Sequence, residues 1–394
     1  MAVGVNVVLA RYYGAGDYKN GSQTVHTAIL LSLVSGVALI FVGVLLAEPL
    51  LSLMGTPNDV LDQAALYMRI YFVGMPVVML YNFGAAVLRA VGDTKRPLYY
   101  LMIAGVVNVA LNLFFVIVCG MGVDGVALAT VISQCISAGL ILWCLLRIDG
   151  ICHLDLKHLH IYKDKLFQII RVGLPAGLQG AVFSISNVLI QSSINSFGSQ
   201  VMAGNTACSN LEGFVYTAMN SIYQAALSFV GQNMGAKKYS RISKIMKICL
   251  LLVFGVGLGM CLLMLLFGRP LLSIYSSDAT VIDYGYLRME IIFFTYYFCG
   301  MMDVMGGILR GMGYSILPMI VSLTGACGLR ILWIVTVFAW RPTLFILYIS
   351  YPISWLITFV VHFICFLVVR RKLPKTDGEP SAPEPAAEPA EAEV

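Results

Sequence analysis

The chain has 394 residues, of which 59% are hydrophobic and only 11% charged, with a mean hydropathy of +0.86. Water-soluble domains carry about a quarter charged residues, so this composition excludes a soluble enzyme or binding module. The net charge of +5 does not point to nucleic acid, because the basic residues sort by loop along the chain.

The first apolar segment, Ala2–Tyr13, is too short to cross hydrocarbon, which takes roughly 20 helical residues. Ten fuller spans follow, near residues 27–47, 62–88, 97–119, 122–147, 171–195, 202–230, 246–267, 283–309, 316–340 and 343–369. Ala28–Ala47, Pro97–Cys119, Cys249–Phe267 and Ile316–Trp340 are apolar runs near or above the crossing length. The period-2 alternation of a membrane barrel is absent, so the fold class is an all-α polytopic membrane protein. Its expected organisation is an N-terminal helical bundle over 1–147, a cytoplasmic connecting loop over 148–170 and a C-terminal bundle over 171–370. Residues 371–394, rich in Pro, Ala and Glu, read as a disordered cytoplasmic tail.

Alternate connections differ in charge. One set holds Arg11 and Lys19; Arg89, Lys95 and Arg96; Arg147, Lys157, Lys163, Lys165 and Arg171; Lys237, Lys238, Arg241, Lys244 and Lys247; Arg310; and Arg370, Arg371, Lys372 and Lys375. The opposite loops hold Arg269 and Arg341, with Arg69 and Arg288 just inside span ends. The positive-inside rule puts the first set and the C-terminus in the cytoplasm of a cell whose inner membrane the chain spans.

The ten cysteines have no CxxC spacing and read as small buried hydrophobes. His153, His158 and His160 lie in the connecting loop, where a solvated loop explains them better than a metal. No cofactor or metal is expected.

Shifting the chain by 221 residues aligns two long stretches without a gap. Pro49-Leu50-Leu51-Ser52 falls on Pro270-Leu271-Leu272-Ser273, and Asp62 on Asp283. Leu88-Arg89, Gly92 and Pro97 fall on Leu309-Arg310, Gly313 and Pro318; Gly14-Ala15 and Tyr18 fall on Gly235-Ala236 and Tyr239. Six spans separate the paired points, and an even number preserves orientation, so the expectation is two parallel six-helix bundles. On that count the first bundle lacks its first helix and part of the second.

The repeated pattern resembles the multidrug and toxic compound extrusion (MATE) family, in its DinF-like bacterial branch. The residues that carry the likeness are Ala10-Arg11-Tyr12-Tyr13-Gly14-Ala15-Gly16-Asp17, Leu88-Arg89-Ala90-Val91-Gly92-Asp93-Thr94-Lys95-Arg96-Pro97 and Gly125-Val126-Ala127-Leu128-Ala129-Thr130. In the second bundle they are Gly173-Leu174-Pro175, Gly231-Gln232-Asn233-Met234-Gly235-Ala236 and Leu309-Arg310-Gly311-Met312-Gly313. The resemblance implies a two-lobed fold and export of cationic or amphipathic organic compounds, driven by inward Na⁺ or H⁺ flow through alternating access. The acid that one branch uses for coupling precedes the Leu-Arg-Gly motif by about three turns; here that neighbourhood has Cys299, and the acid is Asp303, about one turn nearer Arg310.

An ionisable group inside a span normally lines a cavity or has a partner. Glu212 and Asp303 are the two acids well inside spans of the second bundle, and each reads either as an ion-coupling group or as one half of a fixed interhelical pair. Arg330 is the most economical partner, as the cation expected mid-span. Gln179, Asn187 and Gln191 share a helical face, with Asn205 and Asn220 on the next span; Asn108 and Asn112 share a face in the first bundle. These amides read as cleft lining or as interhelical hydrogen bonds. Asn82 occupies the repeat position of Asp303, which biases coupling toward the second bundle. Pro76 and Pro175 are candidate bends, and Tyr67, Tyr71, Tyr284 and Tyr286 candidate interfacial anchors.

The expected activity is an ion-coupled antiporter acting as a monomer in the bilayer on small organic cations or amphipathic drugs. A flippase for an amphipathic lipid-linked precursor is the runner-up, but it calls for more cations in the cleft than Arg330. An inactive truncated fragment is a further alternative. A membrane enzyme is disfavoured, since no HExxH or GxSxG pattern occurs in the spans.

Overall fold

The computed structural model describes residues 1–53, 58–374 and 376–378, and among these the chain is helical, without strands. It divides into two compact units, Met1–Gly173 and Leu174–Val394. The boundary falls inside a helix rather than in the 148–170 connection.

The first unit contains α1 (Ala2–Ala15), α2 (Tyr18–Leu53), α3 (Asn58–Val73), α4 (Met75–Ala90), α5 (Lys95–Leu113) and α6 (Val123–Arg147), followed by the first part of α7 (Lys163–Asn195). Its core is the seam of α1, α2, α4 and α6, filled by Leu9, Phe83, Leu88, Ile141 and Leu145. The α1 helix packs so closely on α7 that a Cβ at Gly4 would collide with the Ile169 carbonyl oxygen. The connection after α6 is strapped to this unit. His26 Nε2 accepts from the Asp155 backbone N–H at 3.1 Å, and Thr27 Oγ1 accepts from that of Tyr162 at 3.1 Å.

The second unit contains the rest of α7, then α8 (Ser199–Gly235), α9 (Ser240–Leu266), α10 (Gly268–Ser273), α11 (Ala279–Phe293), α12 (Tyr297–Gly311), α13 (Ile316–Ser322), α14 (Leu329–Trp333) and α15 (Leu344–Lys372). Its core runs along α8, α9, α11, α12 and α15, with Met219, Met289, Phe293, Met305 and Phe366 at its centre. On the outside the usual pattern inverts: Leu251, Leu266, Leu332 and Val335 are mostly exposed, as are Phe41, Leu45, Val106 and Ile117 of the first unit. Apolar side chains presented outward on long helices face lipid, not water.

The 221-residue offset is met element by element. α2 corresponds to α9 and α10, α3 and α4 to α11 and α12, α5 to α13 and α14, and α6 to α15. α1 corresponds to the last turns of α8. Both helix pairs α3/α4 and α11/α12 are bent by 48°. Pro76 sits in the first turn of α4 just after that break, whereas Tyr297 holds its place in α12. A proline is therefore not required for the bend. Pro175, the other candidate bend, lies inside the continuous α7. The π-helical turn Phe114–Val118 after α5 also has its counterpart, Ile334–Phe338 after α14.

Four expectations change. α8, at 37 residues, is long enough to cross but is not among the apolar helices that meet the composition of a span; it is the polar helix of its unit. Arg89 and Arg310 belong to the last turns of α4 and α12 rather than to loops. Arg330 is not the sole buried cation of the second bundle, since Arg288 and Arg310 are buried too. The tail reading from residue 371 fails at its start: α15 runs to Lys372, and Asp377 accepts from the Ser240 N–H at 3.0 Å and its hydroxyl at 2.7 Å, capping α9. Lys375 and residues 379–394 lie outside the described residues.

Candidate ion and substrate site

The polar side chains of the second unit form three linked groups, and the close approach of two helices builds the first. A Cβ at Gly204 of α8 would meet the Val281 carbonyl oxygen at 2.6 Å and the Gly285 nitrogen at 2.8 Å on α11. With no side chain in the way, the helices come near enough for Arg288 of α11 to reach across to α8. Its guanidinium forks onto Glu212, with Nε to Oε1 at 2.9 Å and Nη2 to Oε2 at 3.0 Å, and Nη1 donates to Asn205 Oδ1. Asn205 in turn donates to Gln191 of α7 at 2.9 Å, and Gln191 donates to Asn195 at 2.9 Å. The rings of Tyr348 and Tyr351 on α15 lie 5.7 and 5.9 Å from the Arg288 guanidinium carbon. A bidentate arginine–carboxylate pair at 5% and 14% side-chain exposure is a locked structural clamp.

The second group is looser. Asp303, half-buried on α12 beyond the break from α11, accepts a hydrogen bond from the Tyr216 hydroxyl of α8. Arg310 is one of its charged neighbours, but the two make no ion pair among the described residues. The Arg310 side chain is committed elsewhere, to Tyr223 Oη at 3.0 Å and to Gln179 Oε1. Asp303 thus keeps acceptor capacity that Glu212 has spent.

The third group surrounds Arg330 of α14. Its Nε donates to Ser354 Oγ at 2.8 Å, and its guanidinium carbon lies 4.4 Å from the Tyr351 ring centre and 5.4 Å from that of Trp355. The expected pairing of Arg330 with Glu212 or Asp303 is not formed; Glu212 takes Arg288 instead. Sequence reasoning placed Arg288 near a span end and so missed it. The signal available was Glu212 itself, an acid at membrane depth that calls for a cation, but periodicity does not choose between two arginines on different helices.

The remaining amides divide. Asn187 is exposed and Asn220 half-buried, both outside these groups. In the first unit Asn108 donates toward Thr130 and Ser133 of α6 at 3.5 and 3.4 Å, and Asn112 donates to Asn108 at 3.1 Å, so the pair acts as interhelical hydrogen bonding between α5 and α6. Asn82 is exposed and donates to its own helix at the Val78 carbonyl, 2.9 Å away.

The MatE family model matches residues 1–114 and 175–336, one stretch in each half of the repeat. The chain belongs to the MatE family. This MatE protein is 27% identical over 341 residues to the probable multidrug resistance protein YoeA of Bacillus subtilis, covering 83% of the chain and 72% of the relative. It is 28% identical over 325 residues to the probable multidrug resistance protein YpnP of the same organism, covering 82% and 72%. Its fold matches a solved outward-facing MATE family multidrug resistance transporter with a TM-score of 0.87 at 20% identity, over 94% of this chain and 83% of that one. MatE proteins are multi-pass membrane transporters rather than enzymes.

Proposed function

We propose that the protein is an ion-coupled antiporter that exports cationic or amphipathic organic compounds across the cytoplasmic membrane, with Na⁺ or H⁺ flowing inward. The charge asymmetry of its loops supports a cytoplasmic C-terminus. The relatives' printed role in multidrug resistance supports the drug-like character of the cargo.

One observation carries the coupling role. Of the two shielded acids of the second unit, Glu212 is clamped by Arg288, whereas Asp303 is held by a tyrosine hydroxyl and has free acceptor capacity on the second helix of a bent pair. A carboxylate so placed can take up a proton or offer oxygen ligands to Na⁺, then release either when the bend changes. Coupling therefore rests on Asp303, with Glu212 and Arg288 fixing α8 against α11 beside it.

The test is ion-driven efflux of ethidium in everted membrane vesicles. Asp303→Asn removes the ionisable group with little change of shape and abolishes ion-driven transport while the protein remains folded. Normal coupled efflux in Asp303→Asn rejects Asp303 as the coupling site.

A further inference from the structure

The charges of the second unit do not balance. Arg288, Arg310 and Arg330 are buried in it, against two carboxylates shielded from the surface, Glu212 and Asp303; Asp283 and Glu290 of α11 are exposed. Glu212 takes Arg288, and Asp303 has Arg310 as a charged neighbour. Arg330 is left over. It is 3% exposed, and its Nη2 has no hydrogen-bond acceptor among the described residues. The ionisable groups nearest it are the phenols of Tyr351 and Tyr296 and the thiols of Cys299 and Cys327, none of them a counter-charge at neutral pH. A guanidinium at membrane depth without a carboxylate is expensive, and such residues normally mark a substrate or ion path.

A second observation concerns the backbone that carries it. α14 is a five-residue turn set between two π-helical stretches, Leu323–Gly328 and Ile334–Phe338. π-turns are rare and concentrate at functional sites. Each holds an extra residue, and passing it along the helix rotates the intervening turn by about 100°, which re-aims Arg330 without unfolding the span.

We propose that Arg330, with the faces of Tyr351 and Trp355, binds the anionic group of an amphipathic aromatic substrate. The free Nη2 edge takes a carboxylate, sulfonate or phosphate oxygen, and the rings take the apolar body. This inference rests on the exporter reading and narrows its cargo from cationic or amphipathic compounds to amphipathic ones that carry an anionic group.

The test uses the purified full chain in phosphatidylcholine nanodiscs, with thermal unfolding read against naphthalene-2-sulfonate and, in parallel, naphthalene-2-methylammonium. The sulfonate raises the melting temperature of the wild type saturably. Arg330→Gln shifts its half-saturating concentration by about tenfold or more, and Arg330→Lys by less, because lysine keeps the charge but loses the fork. The ammonium response is the same in all three. If Arg330→Gln does not fold, Arg330→Lys and Tyr351→Leu supply the comparison. No sulfonate response in the wild type, or an equal one in wild type and Arg330→Gln, overturns the proposal. So does a melting temperature raised through Arg330 by added phosphatidylglycerol but not by the sulfonate, which assigns the site to a lipid headgroup. Arg330-dependent binding without transport of the sulfonate in vesicles overturns the exporter reading and keeps the site. Transport unaffected by Arg330→Gln does the reverse.

Discussion

At the scale of the residue, two acids that look alike in the sequence have different surroundings. Glu212 accepts two parallel hydrogen bonds from Arg288, so removing the arginine strands a carboxylate in a poorly solvated place. Arg288→Ala is expected to cost about 3–5 kcal/mol, measured as loss of thermal or denaturant stability in detergent. A cost under about 1 kcal/mol is what a solvated surface pair gives, and contradicts the clamp. Lys237 is the one non-glycine residue with positive φ among those described, at 54°, and it stands at the repeat position of Gly16, where φ is 70°. Lys237→Gly is expected to raise stability by up to about 1 kcal/mol through relief of that left-handed conformation. A fall in melting temperature means that the lysine side chain contributes more than its strain. That acids at membrane depth need partners was legible in the sequence. Which arginine served each acid was not, because the choice depends on where Gly204 and Gly285 let two helices touch.

At the scale of the element, the repeat read from Pro, Gly and Arg at one offset reappears as matching helices, matching 48° bends and matching π-turns. The bend was the least legible part. Pro76 draws attention in the first copy, yet the second copy bends as much with Tyr297 in that place, so a proline is not required for the bend. The spans expected from the sequence end at 47 and 267; the second end matches the break into α9 and α10 at Gly268, whereas α2 runs on to Leu53. The α8–α11 contact is the element that fixes the polar groups. Gly204→Ala puts a methyl group against the Val281 carbonyl and the Gly285 nitrogen, so it is expected to destabilise by about 1–3 kcal/mol and to weaken the Arg288 contacts. Unchanged thermal stability and unchanged transport in this variant contradict that packing.

At the scale of the whole molecule, membrane class, helical architecture and family were legible from composition, charge sorting and the 221-residue offset, because each reflects a constraint spread over many residues. Site chemistry was less legible because it turns on a few side chains whose neighbours come from six different helices. Of the nine amide and arginine candidates for the cleft, Gln191, Asn205, Gln179 and Arg330 fall into the polar groups of the second unit, while Asn108 and Asn112 serve helix packing. The central claim is that movement of an ion down its gradient drives export. Reconstitution into proteoliposomes, with a Na⁺ or a proton gradient imposed separately and ethidium or naphthalene-2-sulfonate as cargo, tests it most directly. The account predicts uphill cargo movement opposite to one of the two gradients, abolished by its ionophore and by Asp303→Asn. Cargo that merely equilibrates under both gradients, at a rate the ionophores do not alter, contradicts it.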